Sequence, residues 1–223
     1  MKAILKSDIA YLRTALVPTF VTFVLVYVLL CWAAQSPLMI STICGIIPLL
    51  VLLTFVSADA PDRWGRYRAA LPFSRRDIVA SRYAIILLSS LGVIVLGVAL
   101  AQIANVVAPL AMNDFEPMSL FDSIATCVTS TTLVLILVDG LNPFLVKFGN
   151  ARGIRYATIA FLVLFALAIY ALSQLFNSET MDALGQWVAN NGGLLVAVLA
   201  AVALAATAIS CMASLRIYTK KDL

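Results

Sequence analysis

Apolar residues in this chain come in blocks of twenty or more, at about 15–34, 38–57, 83–108, 122–141, 156–176 and 192–213. The blocks show neither the strict alternation of a half-buried strand nor the one-sided stripe of a surface helix. A helix of about twenty apolar residues is what crosses a hydrocarbon layer of about 30 Å. The pattern predicts an all-α membrane protein with six transmembrane helices. The longest stretch between blocks, about 25 residues, is too short to bury a core of its own, so residues 1–223 read as a single membrane domain.

Local signals refine the blocks. Ahead of the first, Leu5, Ile9, Leu12 and Leu16 recur at helical spacing with Lys2, Lys6 and Arg13 among them, which predicts a short amphipathic helix on the membrane surface. The turn Gln35-Ser36-Pro37 is very short. Pro48 sits in the middle of the second span and should bend it, because proline withholds a backbone donor. The third span is long enough to tilt or to break near its far end. A loop from Pro109 to Phe121 carries Asp114 and Glu116, and Asp122 suits the N-terminus of the fourth span. Residues 142–155 and 177–191 read as loops, and residues 214–223 as a tail. The sixth span is rich in Ala, and small residues allow close helix contact in lipid. A basic start followed by an apolar run also suits a signal peptide cleaved after Trp32-Ala33-Ala34. The run of about twenty residues is long for that purpose and long enough to span.

Charge orients these spans. All fifteen Lys and Arg fall in four segments: Lys2, Lys6 and Arg13; Arg63, Arg66, Arg68, Arg75, Arg76 and Arg82; Lys147, Arg152 and Arg155; Arg216, Lys220 and Lys221. The intervening links carry only acids or no charge. Cytoplasmic loops are enriched in Lys and Arg, so both termini are expected inside. That side holds fifteen bases against six acids, a balance of +9, and the other holds five acids. The basic character therefore reflects topology and anionic lipid, not nucleic acid. At 63% apolar and 12% charged, the chain also lies far from soluble composition.

Little in the chain suits catalysis. It has no His, the commonest metal ligand and general base. Cys31, Cys44, Cys127 and Cys211 lie singly in apolar runs, with no C-x-x-C pair to bind zinc. No phosphate-cradling G-x-x-x-x-G-K-[ST] and no hydrolase signature occurs, so no cofactor is expected on this chain. An intramembrane enzyme would need clustered acids, His or an activated Ser. Asp139, near the end of an apolar run, could relay protons in an ion-coupled transporter or pair with Lys147 or Arg155. Gln102 and Asn105 in the third span, and Thr126, Thr129 and Ser130 in the fourth, could line a path for cargo or hydrogen-bond to neighbouring helices.

The loop at 58–82 holds the most detail. Pro61 suits a first helical turn, after which Trp64, Tyr67 and Leu71 share a face and Arg63 and Arg66 point elsewhere. Pro72 stops that helix. Ser74-Arg75-Arg76-Asp77 then reads as a capping box that starts a second helix, one that would run into the third span. The same composition suits an interfacial anchor, with Arg side chains on phosphates and Trp64 at the headgroups.

Two segments of this chain resemble the type-2 family of ATP-binding-cassette membrane permeases. The first combines Asp62-Arg63-Trp64-Gly65-Arg66-Tyr67, Leu71-Pro72-Phe73-Ser74-Arg75-Arg76-Asp77-Ile78-Val79 and Ser81-Arg82-Tyr83. The second is Asn142-Pro143-Phe144-Leu145-Val146-Lys147-Phe148-Gly149 followed by Arg152-Gly153-Ile154-Arg155. The tail from Ser214 to Asp222 is similar as well. The resemblance implies a permease subunit, an exporter in a bacterial plasma membrane, that pairs with a second copy or a related permease. It implies separate ATPase chains that bind the ATP. It further implies that a short helix from Asp62 to Ala70 rests in a groove of the ATPase. Trp64, Tyr67 and Leu71 would then give apolar anchorage, Arg63, Arg66 and Arg68 a polar rim, and the Ser74-capped helix would carry the motion to the third span.

Overall fold

The computed structural model describes residues 2–58, 75–110, 115–148 and 178–219, together with positions 159, 160, 163 and 167. Helix α1 spans Lys2–Ala34. A 3-10 turn, Pro37–Met39, leads into α2, Ile40–Ala58. Helix α3 spans Arg75–Val107 and ends in a 3-10 turn, Ala108–Leu110. Helix α4 spans Leu120–Phe148, and α5 spans Ser178–Thr219 with a kink at Asn191 (φ −123°, ψ 23°). No strand occurs among the described residues.

Among the described residues four stretches are long and apolar enough to cross a membrane: Pro37–Phe55, Val79–Leu110, Leu120–Phe144 and Asn191–Ile217. Phe20–Ala34 is a shorter apolar helix. The expected fifth span, 156–176, lies outside the described residues apart from four positions, of which Ile159, Val163 and Leu167 are helical and exposed. Large apolar side chains such as Leu25, Leu91, Val95 and Leu204 also face outward. That arrangement suits a protein bathed in hydrocarbon, not water.

Three boundaries differ from the sequence reading. The amphipathic segment at the start and the first span form one unbroken helix that passes through Pro18. Helix α4 runs on through Pro143 to Phe148, so Asn142, Pro143, Lys147 and Phe148 are helical where a loop was expected. Residues 178–190, expected as loop, are helical and join the last span at the Asn191 kink. In each case the helix outlasts its apolar run, because backbone hydrogen bonding and not hydropathy ends a helix.

The prolines are tolerated for a specific reason. Proline lacks an N–H, so the carbonyl four residues earlier loses its helical donor. For Pro48 that carbonyl is Cys44, and the Thr131 hydroxyl of α4 donates to it at 3.3 Å. For Pro143 it is Asp139, and the Ser210 hydroxyl of α5 donates to it. Each of these prolines therefore marks a link to another helix, which suits a span where no water can fill the gap. Thr131→Val keeps the shape and removes the donor. It should lower the melting midpoint by about 2–6 °C, the equivalent of about 1–1.5 kcal/mol. Thr132→Val is the control: its hydroxyl bonds Thr129 of its own helix at 3.0 Å, and its midpoint should hold.

The buried core lies where α2, α3 and α4 meet, around Ile40, Ile43, Val51, Phe55, Ile86 and Val138. Gly97 of α3 lies at its tightest point. A Cβ there would sit 2.5 Å from the Cys44 sulfur, 3.0 Å from the Cys127 sulfur and 3.5 Å from Ile40 Cγ1. Only a residue without a side chain lets the three helices approach this closely.

Candidate functional site

Helix α3 begins at Arg75, the second residue of the expected Ser74 capping box, with Asp77 in its first turn, where a carboxylate suits the N-terminal dipole. Arg76 is exposed and Asp77 half-buried. At about 1.5 Å per residue, the 33 residues of α3 reach about 50 Å, more than one hydrocarbon thickness. A single rod thus joins the Arg75-Arg76-Asp77 end to the far loop. The segment leading into it, with Arg63, Trp64, Arg66, Tyr67, Arg68, Leu71, Pro72 and Ser74, lies outside the described residues. So do Gly149, Arg152 and Arg155. Lys147 and Phe148 form the last turn of α4.

At the other end of α3, Gln102 and Asn105 come together. The Gln102 amide donates to Ser123 Oγ at 3.0 Å and accepts from Asn105 at 3.3 Å. Asn105 also donates to the Met118 carbonyl at 2.7 Å and accepts the Met118 N–H at 3.0 Å. The side chain fastens the loop ahead of α4 to α3. That loop also donates the Glu116 N–H to the Gln35 carbonyl at 3.0 Å. Gln35 itself has a positive φ of 52°, the left-handed geometry that closes so short a turn. Ser119 caps α4: its oxygen accepts the Asp122 N–H at 3.1 Å, and its hydroxyl donates to the Asp122 carboxylate at 2.7 Å.

Thr126, Thr129 and Ser130 are half-buried on α4. The Ser130 hydroxyl donates to the Thr126 carbonyl at 2.9 Å, and the Thr129 carbonyl accepts from Thr132. No hydrogen bond among the described residues joins this trio to Gln102 or Asn105; each set is engaged locally. A groove of about 350 Å³ separates α1, α2 and α3, lined by Phe20, Val21, Ile47, Leu50, Val93 and Leu96 among others. Its one hydroxyl, Ser89, is turned to the Ile86 carbonyl at 2.9 Å. Such a surface suits hydrocarbon.

Asp139, singled out in the sequence, anchors a second polar group whose other members the sequence reading did not mark. Asp139 of α4 is 2% exposed and packs among Thr207, Ser210 and Ser214 of α5 and Tyr83 of α3, all buried. Thr207 contacts the Asp139 carboxyl at 2.6 Å. Tyr83 lies 2.7 Å from the Ser210 oxygen and 2.9 Å from that of Ser214. Among the described residues Asp139 pairs with no cation, and the side chains of Lys147 and Arg155 lie outside them. The legible signal was the spacing of 207, 210 and 214, which puts three hydroxyls on one face of an Ala-rich helix.

No group of three or more acidic, Cys or His side chains suited to a metal occurs among the described residues. The sequence profile described as ABC-2 family transporter protein matches residues 3–219. No curated protein and no solved structure matches the chain. With apolar helices long enough to cross a bilayer several times and a family match over nearly the whole length, the chain is a multi-pass membrane protein that belongs to the ABC-2 family of transporter proteins.

Proposed function

We propose that this chain is the permease subunit of an ATP-driven exporter in a bacterial plasma membrane. It would work as a pair, with itself or a related permease, on separate ATPase chains that supply the energy. The family match over residues 3–219 carries the reading. The partition of every Lys and Arg to one set of loops supports it, since that partition turns the Trp64-bearing loop toward the cytosol. The shape of α3 supports it as well. A helix of about 50 Å that starts at Arg75 is a stiff connection between a cytosolic ATPase and the opposite membrane face. In this reading the segment from Asp62 to Ala70 docks on the ATPase, and Arg75, Arg76 and Asp77 open the rod that carries its tilt across the bilayer.

Export, in preference to import, follows from the resemblance of the 62–83 motifs to small permeases of that kind. Gentle purification from the native host should bring down an ATPase chain with this one. A pure, intact preparation that never contains one would overturn the proposal.

The alternative is an ion-coupled carrier. Asp139 is the observation in its favour, a carboxyl inside an apolar span. Transport that stops without ATP and survives Asp139→Asn would remove that option.

A further inference from the structure

We propose that Asp139 is held as a neutral carboxylic acid whose proton, donated to Thr207, closes a hydrogen-bonded clamp joining α3, α4 and α5. Thr207 Oγ1 lies 2.6 Å from Asp139 Oδ2 and 2.8 Å from the Ala203 carbonyl. Ser210 Oγ meets the Asp139 carbonyl. Tyr83 meets Ser210 at 2.7 Å and Ser214 at 2.9 Å. These are five close approaches between oxygens, and a full two-centre hydrogen bond at each needs a hydrogen of its own. Backbone carbonyls bring none, and each hydroxyl brings one.

The four hydroxyls therefore fall one short, and only the carboxyl can supply the fifth proton. With it, every contact is satisfied in one direction. Ser214 donates to Tyr83, Tyr83 to Ser210 and Ser210 to the Asp139 carbonyl that Pro143 leaves free. The Asp139 carboxyl donates to Thr207, and Thr207 donates to the Ala203 carbonyl. Without it, the one Thr207 proton must be split between two acceptors at 2.6 and 2.8 Å in a three-centre bond, weaker than either contact length implies.

The surroundings agree. Oδ1 of Asp139 is buried with no hydrogen-bond partner among the described residues. A neutral carbonyl oxygen tolerates that position far better than an anion. The titratable groups that face Asp139 are Tyr83 from α3 and Cys211 from α5, and neither brings a positive charge. Arg82 and Arg216, the described cations closest in sequence on those helices, have partners of their own. The proton here is structural. It makes the clamp electrically neutral inside the span and lets α3, the rod that starts at Arg75, move with α4 and α5 as one body.

The test uses the full-length protein in lipid nanodiscs at neutral pH, read by infrared spectroscopy and thermal melting. The wild type should show the carbonyl band of a protonated carboxyl. Asp139→Asn should delete that band and keep the melting midpoint, because its amide N–H can donate to Thr207. Asp139→Leu should lower the midpoint by several degrees. Thr207→Val retains the carboxyl and should shift the band, since it removes the acceptor. A folded wild type whose spectrum contains no band that Asp139→Asn removes would overturn the proposal. So would a Thr207→Val spectrum with the band unmoved, or an Asn variant as unstable as the Leu variant.

Discussion

Gly97→Ala should lower the melting midpoint by about 4–10 °C, the equivalent of about 1–3 kcal/mol for overfilling a packed core. In a helix interior Ala is ordinarily preferred to Gly by about 1 kcal/mol, so propensity alone predicts the opposite sign. The clash decides it. The new methyl would lie 2.5 Å from one sulfur and 3.0 Å from another, on two different helices. Neither sulfur can turn away freely. Both cysteines are fully buried, and the Cys44 thiol points to the Val93 carbonyl at 3.8 Å. Pairing Gly97→Ala with Cys44→Ala should restore much of the loss by vacating the closer sulfur. Gly92→Ala on the same helix meets nothing within 4 Å, so propensity acts alone and the midpoint should rise by about 2–4 °C. Equal melting of the Gly97 and Gly92 variants would refute this account of the core.

The second large effect concerns coupling, and it rests on the proposed function. Replacing both Trp64 and Tyr67 by Ala should reduce ATP-dependent transport at least about ten-fold, since buried aromatic anchors dominate most interfaces. The protein should still reach the membrane with its usual melting midpoint, because both residues lie in the sequence outside the apolar blocks. Measured together, ATP hydrolysis, ATPase co-purification and transport identify where the loss arises. A complex that holds its ATPase and transports normally without both aromatics would show that they anchor the loop to lipid instead.

The long apolar blocks made the helical membrane architecture readable from composition and period. Asp122 in the first turn of α4 and the run of α3 back to Arg75 were readable too, though the Ser119 cap was not. What escaped was whatever depends on a distant partner. Asn142-Pro143 read as a loop because proline usually ends a helix. The hydroxyl that lets α4 continue belongs to Ser210, 71 residues away from Asp139. Gly97 carried no local mark, since its role is set by cysteines on two other helices. Among the candidate site residues, Gln102 and Asn105 were singled out by polarity, but their ties to Ser123 and Met118 needed the fold. The Tyr83–Ser210 and Thr207–Asp139 contacts escaped for the same reason.

The prolines also set a timetable for biogenesis. As the chain threads from the ribosome into the bilayer, α2 arrives with one backbone oxygen that nothing nearby can satisfy. Its donor, Thr131, is synthesised 87 residues after Cys44. The oxygen left bare by Pro143 waits in turn for Ser210. Early helices should therefore linger beside the insertion machinery or borrow a water until their later partners emerge, and truncated nascent chains ending before Thr131 should be the ones that quality-control proteases remove.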